Sequence, residues 1–207
     1  EELRSRLAPK DRRCFAFFHP AMHDEPLIFV EVALMKDVPS KIQDVLQEKR
    51  EVFEPEQTNV AVFYSISNCQ KGLAGISFGN FLIKQVANDL NLEFKNLKKF
   101  VTLSPVPGLR KWIKTKHPKF DKTIEKQKKP EQMLKIYDSM MEFTSNYFLN
   151  SDRFDRMPND PVARFHLGNG ASLEQINYLG DISTNGFNLS GGLMVNYLYD
   201  LDKVEQN

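Results

Sequence analysis

The segment Val60-Ala-Val-Phe-Tyr-Ser-Ile-Ser-Asn-Cys-Gln-Lys-Gly-Leu-Ala-Gly-Ile-Ser-Phe-Gly-Asn-Phe-Leu-Ile-Lys84 decides the fold. Val60, Val62, Phe63, Tyr64 and Ile66 are β-branched or aromatic, as a strand prefers. Gly72, Gly75 and Gly79 allow a sharp turn and a close approach to the backbone. From Ile76 onward, Phe78, Leu82, Val86 and Leu90 recur every four positions and predict a helix with one apolar stripe against a sheet. A strand, glycine turn and helix in that order aim unpaired backbone N–H groups and the positive end of a helix dipole at one point. That is an anion site, and phosphate is its usual ligand. The glycine spacing is neither a Walker A loop nor GxGxxG, and no Gly-Lys-Ser/Thr follows, so a P-loop is excluded. A turn that merely connects two elements is the plainer alternative.

The remaining sequence sets bounds. The 207 residues fit one large domain, and 41% hydrophobic content with 16 Phe supplies a substantial core. A net charge of +1 carries no global field of the kind a nucleic-acid binder shows. Twelve Lys or Arg between Lys95 and Lys129, against Asp121 and Glu125, read as a solvated helix face or as a surface for anions. Cys14 and Cys69 have no metal or disulfide spacing; both are expected reduced and buried in an intracellular protein. No apolar run is long enough for a membrane span. Residues 1–11 read as the remnant of a preceding helical segment, and residues 12–207 as the main domain.

Along the chain, residues 13–19 and 27–34 predict a hairpin, and residues 40–49 a helix capped by Ser40. Residues 100–103 predict a strand ended by Ser104-Pro-Val-Pro-Gly108, where two prolines remove amide donors. Residues 109–116 predict a helix, 117–130 a lysine-rich loop, and 131–149 a further helix. Residues 160–170 predict an extended segment, 171–179 a short helix and 193–199 a last strand. The expected class is α/β or α+β around a mixed sheet.

Four histidines and one serine are candidates for chemistry. His117 falls in the lysine-rich loop and is expected to be solvated. His19 and His23 are four apart, and no Cys or acidic cluster completes a metal set around them. His166, in Arg164-Phe-His-Leu-Gly-Asn-Gly170, ends an apolar run at a glycine turn, where a ring is held in one tautomer and still reaches a cavity. A core histidine bonded to a backbone carbonyl is the alternative. Ser104 is held by its two stiff neighbours at a strand end; no GxSxG elbow surrounds it, and a turn serine is the alternative.

These pieces together resemble the catalytic domain of the malonyl-CoA decarboxylase family, over about residues 12–199. The resemblance rests on Phe63-Tyr-Ser-Ile-Ser67, Gln70-Lys-Gly-Leu-Ala-Gly75, Phe81-Leu-Ile-Lys84, Leu103-Ser-Pro-Val-Pro-Gly108, Pro161-Val-Ala-Arg-Phe-His-Leu-Gly-Asn-Gly-Ala171 and Gly192-Leu-Met-Val-Asn-Tyr197. It implies a GCN5-related acetyltransferase-like fold, a mixed twisted sheet flanked by helices. It places the acyl-CoA contact on Ala74, Gly75, Ile76, Ser77, Phe78, Gly79 and Asn80, the catalytic serine on Ser104 and the catalytic histidine on His166. Ser77 stands where the family often has an acid, and residues 114–132 depart from the family pattern.

The activity so implied is conversion of malonyl-CoA to acetyl-CoA and carbon dioxide, with Ser104 orienting the substrate and His166 donating a proton. CoA is part of the substrate, and no other cofactor or metal is expected, because the thioester carbonyl is itself the electron sink. The His166 role is expected from an ordinary imidazole pKa near neutrality. The implied partners are malonyl-CoA and, in a full-length form, further copies of the same chain, with no nucleic acid. The implied compartments are mitochondrial, peroxisomal or cytosolic. Two rival readings are an N-acyltransferase of the same fold, which needs a route for an amine, and a catalytically silent CoA-binding module.

Overall fold

The computed structural model describes residues 7–70, 72, 79–127 and 129–201. Its centre is the strand β3, Val60–Asn68, whose first four residues are all buried. Their side chains alternate between two apolar layers. Ala61 and Phe63 join the larger one, Val60 and Val62 the smaller, which is why this strand reads as an unbroken apolar run.

Before it come β1, Arg12–His19, and β2, Met22–Met35, a hairpin whose turn is much tighter than the sequence predicts. β2 pairs antiparallel with β3, and β3 pairs parallel with β4, Lys99–Thr102. The parallel crossover is made by helix α2, Gly79–Glu93, following the short α1, Ile42–Leu46. Leu82, Ile83, Val86, Ala87 and Leu90 form the buried stripe of α2 against Val30, Val32 and Phe63; each of the four larger side chains is worth about 1.5–3 kcal/mol of burial. Val45 of α1 covers the opposite face, among Val62, Leu103 and Met194.

β7, Met194–Tyr199, receives β4 and the two-residue β5, Ser104–Pro105, on one edge and β6, Ser172–Asn177, on the other. The mixed sheet thus runs β1-β2-β3-β4/β5-β7-β6. Between β5 and β7 lie α3, Leu109–Lys116; α4, Pro118–Lys126; α5, Pro130–Met133; α6, Tyr137–Leu149; α7, Pro161–Gly168; and α8, Thr184–Ser190.

Several expectations are corrected. The lysine-rich stretch is α4, started by Pro118 and holding Ile124 and Asp121 inward while its lysines face out. Residues 131–149 are α5, a 3₁₀ turn at Leu134–Ile136, and α6, rather than one helix. Residues 160–170 are not extended: α7 forms there because Asp160 caps it and Pro161 fits its first turn. Residues 171–179 form β6, not a helix, since pairing with β7 outweighs local preference. α1 is shorter than expected and Ser40 does not cap it. Cys14 and Cys69 are exposed, Cys14 because it points away from the core on the strand β1. Residues 1–6 of the expected helical remnant lie outside the described residues. Among the described residues no helix is long and apolar enough to cross a membrane.

The feature that makes a site is a fork in the sheet. β3 and β4 run together as far as the bond from Leu103 N to Phe63 O, 3.0 Å. The next donor on that edge would come from residue 105, and Pro105 has no N–H. β5 therefore stays with β7 while β3 stays with β2. Asn196 braces the break: its Nδ2 donates to Thr102 O (2.8 Å) and Pro39 O (3.2 Å).

Candidate active site

The fork opens as a cleft of about 410 Å³, lined by Phe63, Ser65 and Ile66 on one arm and by Thr102, Ser104 and Pro105 on the other, with α7 across it. Thr102 and Ser104 are two residues apart and share a face. Ser104 Oγ donates to Thr102 Oγ1 at 2.8 Å, and Thr102 Oγ1 also accepts from Tyr197 N at 3.2 Å. Ser104 is 6% exposed and His166, in the last turn of α7, 3%. His166 Nε2 lies 3.2 Å from Ser104 Oγ, and its Nδ1 lies 2.8 Å from the Tyr199 hydroxyl. The ring stacks on Tyr197 at 4.6 Å between centroids.

The hydrogen bonds select a tautomer. Ser104 spends its proton on Thr102, so it is free to accept from His166. A consistent chain then runs from Tyr199 O–H to Nδ1, from Nε2–H to Ser104 Oγ, and from Ser104 O–H to Thr102, with protons assigned from this network. Burial pushes the His166 pKa down to about 4, so the ring is a neutral imidazole at pH 7. This corrects the expectation of an ordinary pKa near neutrality. It also removes the reading of His166 as a core ring satisfied by a backbone carbonyl, because both ring nitrogens face side-chain oxygens.

The structure thus brings Ser104 and His166 together across 62 residues of chain. Ala74 to Phe78 of the expected CoA turn lie outside the described residues; Gly79 and Asn80 are the first two residues of α2. His117 is not solvated: it is half-buried, with its ring 4.3 Å from Phe143 and 5.4 Å from Trp112. His19 Nδ1 accepts from Ala21 N. Among the described residues no group of three or more His, Cys, Asp or Glu is placed to hold a metal ion. Sequence reasoning missed Thr102 and Tyr199. The signal for Thr102 was its two-residue spacing from Ser104 on a strand, and for Tyr199 the same spacing from Tyr197.

Gly108 ends the Ser104 loop under similar constraint. A Cβ there would fall far inside van der Waals contact of the Tyr147 hydroxyl, which is buried and cannot swing away. Gly108→Ala is expected to cost about 1–3 kcal/mol in urea unfolding, the scale of overpacking. Adding Tyr147→Phe removes the clashing atom and should recover part of that loss. Two independent, additive losses would refute this account.

A family model described as Malonyl-CoA decarboxylase C-terminal domain matches residues 1–207. The chain belongs to this family. Its backbone superposes on a malonyl-CoA decarboxylase from Agrobacterium vitis with a TM-score of 0.91 and 49% identity, covering 99% of this chain and 54% of that one. The mitochondrial malonyl-CoA decarboxylase of Anser anser anser is 35% identical over 240 residues, covering all of this chain and 47% of that protein. The chain therefore spans about half the length of the relatives it matches. The GNATL loading domain of CurA from Lyngbya majuscula, 14% identical with a TM-score of 0.56 over 91% of this chain and 76% of that one, shares the fold alone. The expected acetyltransferase-like mixed sheet is the one observed, and its fork is where Ser104 and His166 meet.

Proposed function

We propose that this protein decarboxylates malonyl-CoA to acetyl-CoA and carbon dioxide in the sheet fork. The observation that carries the reading is the 3.2 Å contact between Ser104 and His166 at the wall of an open cleft. The bond from the malonyl methylene to its carboxyl carbon breaks, its electron pair enters the thioester carbonyl as an enolate, and carbon dioxide leaves. The enolate carbon then takes one proton. The thioester supplies the electron sink, so the reaction needs no further cofactor or metal.

The cleft suits this chemistry in two ways. Its lining among the described residues is apolar carbon, hydroxyls and one imidazole, with no Lys or Arg. A carboxylate held there loses hydration without gaining a cation, which favours dispersal of its charge into the thioester. The enolate charge that develops beside His166 as carbon dioxide leaves then favours the protonated ring and offsets the effect of burial. His166 then protonates the enolate carbon, and Ser104 fixes the malonyl group out of the carbonyl plane by hydrogen bonding.

In the same reading the side of β3 that parts from β4 after Phe63 offers backbone groups to the amides of the pantetheine arm, a strand-addition mode. The glycine turn at residues 74–80 takes the pyrophosphate. Gly75→Val is expected to weaken CoA binding by at least about tenfold in calorimetric titration, about 1.4 kcal/mol; unchanged affinity in a folded variant would remove the turn from the site. Self-association in a longer form of the chain belongs to this reading, as does a mitochondrial, peroxisomal or cytosolic setting.

The test is incubation with malonyl-CoA and mass spectrometry of the products. Acetyl-CoA and carbon dioxide formed without an amine support the proposal. Acyl transfer to an added amine, or unchanged ligand that is nonetheless bound, would replace it with the transferase or the binding module.

A further inference from the structure

The buried carboxylate of Asp160 has no part in the chemistry just described, yet it touches both segments that supply it. Asp160 is 0% exposed and precedes the helix α7 that carries His166. Its Oδ1 accepts from Val162 N at 2.9 Å and from Ala163 N at 3.0 Å, which caps that helix. Capping needs one oxygen. Oδ2 is turned the other way, toward Gly108 N at 3.4 Å and the Tyr147 hydroxyl at 3.4 Å. Gly108 closes the rigid Ser104-Pro-Val-Pro-Gly108 turn. One carboxylate thus spans the His166 helix and the Ser104 loop.

A second strand of contacts leads the same way. The Tyr197 ring stacks on His166, and Asp160, Tyr147 and Tyr199 all act electrostatically on the Tyr197 hydroxyl, raising its pKa after burial has done so. That hydroxyl is buried with no hydrogen-bond partner among the described residues. Burial pushes the Asp160 carboxyl up, and the bonds from Ala163, Gly108, Val162 and Tyr147 oppose it, as they must to hold a charge in so dry a place. The Oδ1 bonds alone satisfy the cap, so the contacts of Oδ2 are additional to it.

We infer that Asp160 is a positioning residue, which sets the distance and angle between Ser104 and His166 by tying the His166 helix to the Ser104 loop. The inference rests on the proposed decarboxylase reading for its effect on turnover, but not for its effect on geometry. Asp160→Asn is the discriminating change. The amide oxygen caps a helix as well as a carboxylate does, while the NH₂ group cannot accept from Gly108 N or Tyr147.

The expected result is kcat for malonyl-CoA reduced about tenfold, with KM within about twofold, because misplacement of reacting groups acts on turnover. In a Ser104→Ala background the same change should cost less than about threefold, since one of the two groups being positioned is gone. Tyr147→Phe, which removes one partner of Oδ2 and leaves the cap untouched, should lower kcat in the same direction by less. Full kcat in folded Asp160→Asn would overturn the inference, and so would an equal tenfold loss in the Ser104→Ala background, which is the mark of a generally weakened fold. The imidazole ¹⁵N spectrum, with His166 assigned by loss of its signals in His166→Asn, gives a readout independent of activity. In Asp160→Asn the His166 nitrogens should move away from the Nε2–H pattern toward mixed tautomers; an unchanged pattern counts against positioning even if the protein turns over no malonyl-CoA. Absence of turnover in the unmutated protein with a shifted pattern in the variant would sink the decarboxylase reading and leave the positioning role standing.

Discussion

On the proposed reading, His166→Asn is expected to lower kcat for malonyl-CoA by at least about a hundredfold, the usual scale for removing a positioned acid or base, and to leave KM nearly unchanged. Asparagine keeps roughly the shape of the ring and can still meet Ser104, so the packing against Tyr197 is disturbed little. What it removes is the group able to carry a proton to carbon. Ser104→Ala loses less, about tenfold, because a single hydrogen bond that orients a neutral or charged group is worth about 1.5 kcal/mol. Steady-state kinetics on folded variants checks both. A His166→Asn protein with full activity would mean that the histidine only supports the cleft wall and that some other group delivers the proton.

The same residue dictates how stability changes with pH. In the folded protein burial holds the His166 pKa at about 4, against 6.5 for the ordinary side chain. Between those values the unfolded chain binds a proton that the native protein does not, so stability rises with pH across the window. The contribution is fully present above about pH 6.5, is lost as pH falls toward 4, and is level below that. Its size is about 3 kcal/mol. Asp11, whose pKa is lowered with Arg50 donating to it, and Asp160, whose pKa is raised by burial, change stability in the neighbouring acid range in opposite senses. The contribution of His166 is therefore read as a difference. Denaturant unfolding of the native protein and of His166→Asn at pH 7 and at pH 4.5 should show the gap between them changing by about 2–3 kcal/mol in favour of the variant at low pH. Parallel pH dependences would show that the ring reaches solvent.

Much of the scaffold was legible from side-chain pattern. The strand β3, the helix α2, the strand β4 and the strand β7 each carry a periodicity that matches their burial, and each came out where the pattern put it. Two of the failures share a cause. Residues 160–170 and 171–179 are short apolar runs, and over so few residues period 2 and period 3.6 cannot be separated. The cap and proline at Asp160-Pro161 were the better signal for α7, and the partner strand β7 decided β6.

What the sequence determined by itself is local: the order of strand, glycine turn and helix, the rigid proline turn after Ser104, and the identity of a serine and a histidine able to act together. Only the tertiary structure decided that they meet, at 3.2 Å. Pro105 withholds one rung from the β3–β4 ladder, and that is readable in the sequence as a missing donor. That the gap becomes a cleft, however, depends on Asn196 and Tyr197 of β7 holding Thr102 on the far arm. The change in His166 from a titrating group at neutrality to a neutral imidazole is likewise a property of its surroundings, since desolvation has no trace in residue order. Hydrogen bonds and side-chain pattern act over a few residues, whereas burial is a sum over neighbours drawn from the whole chain.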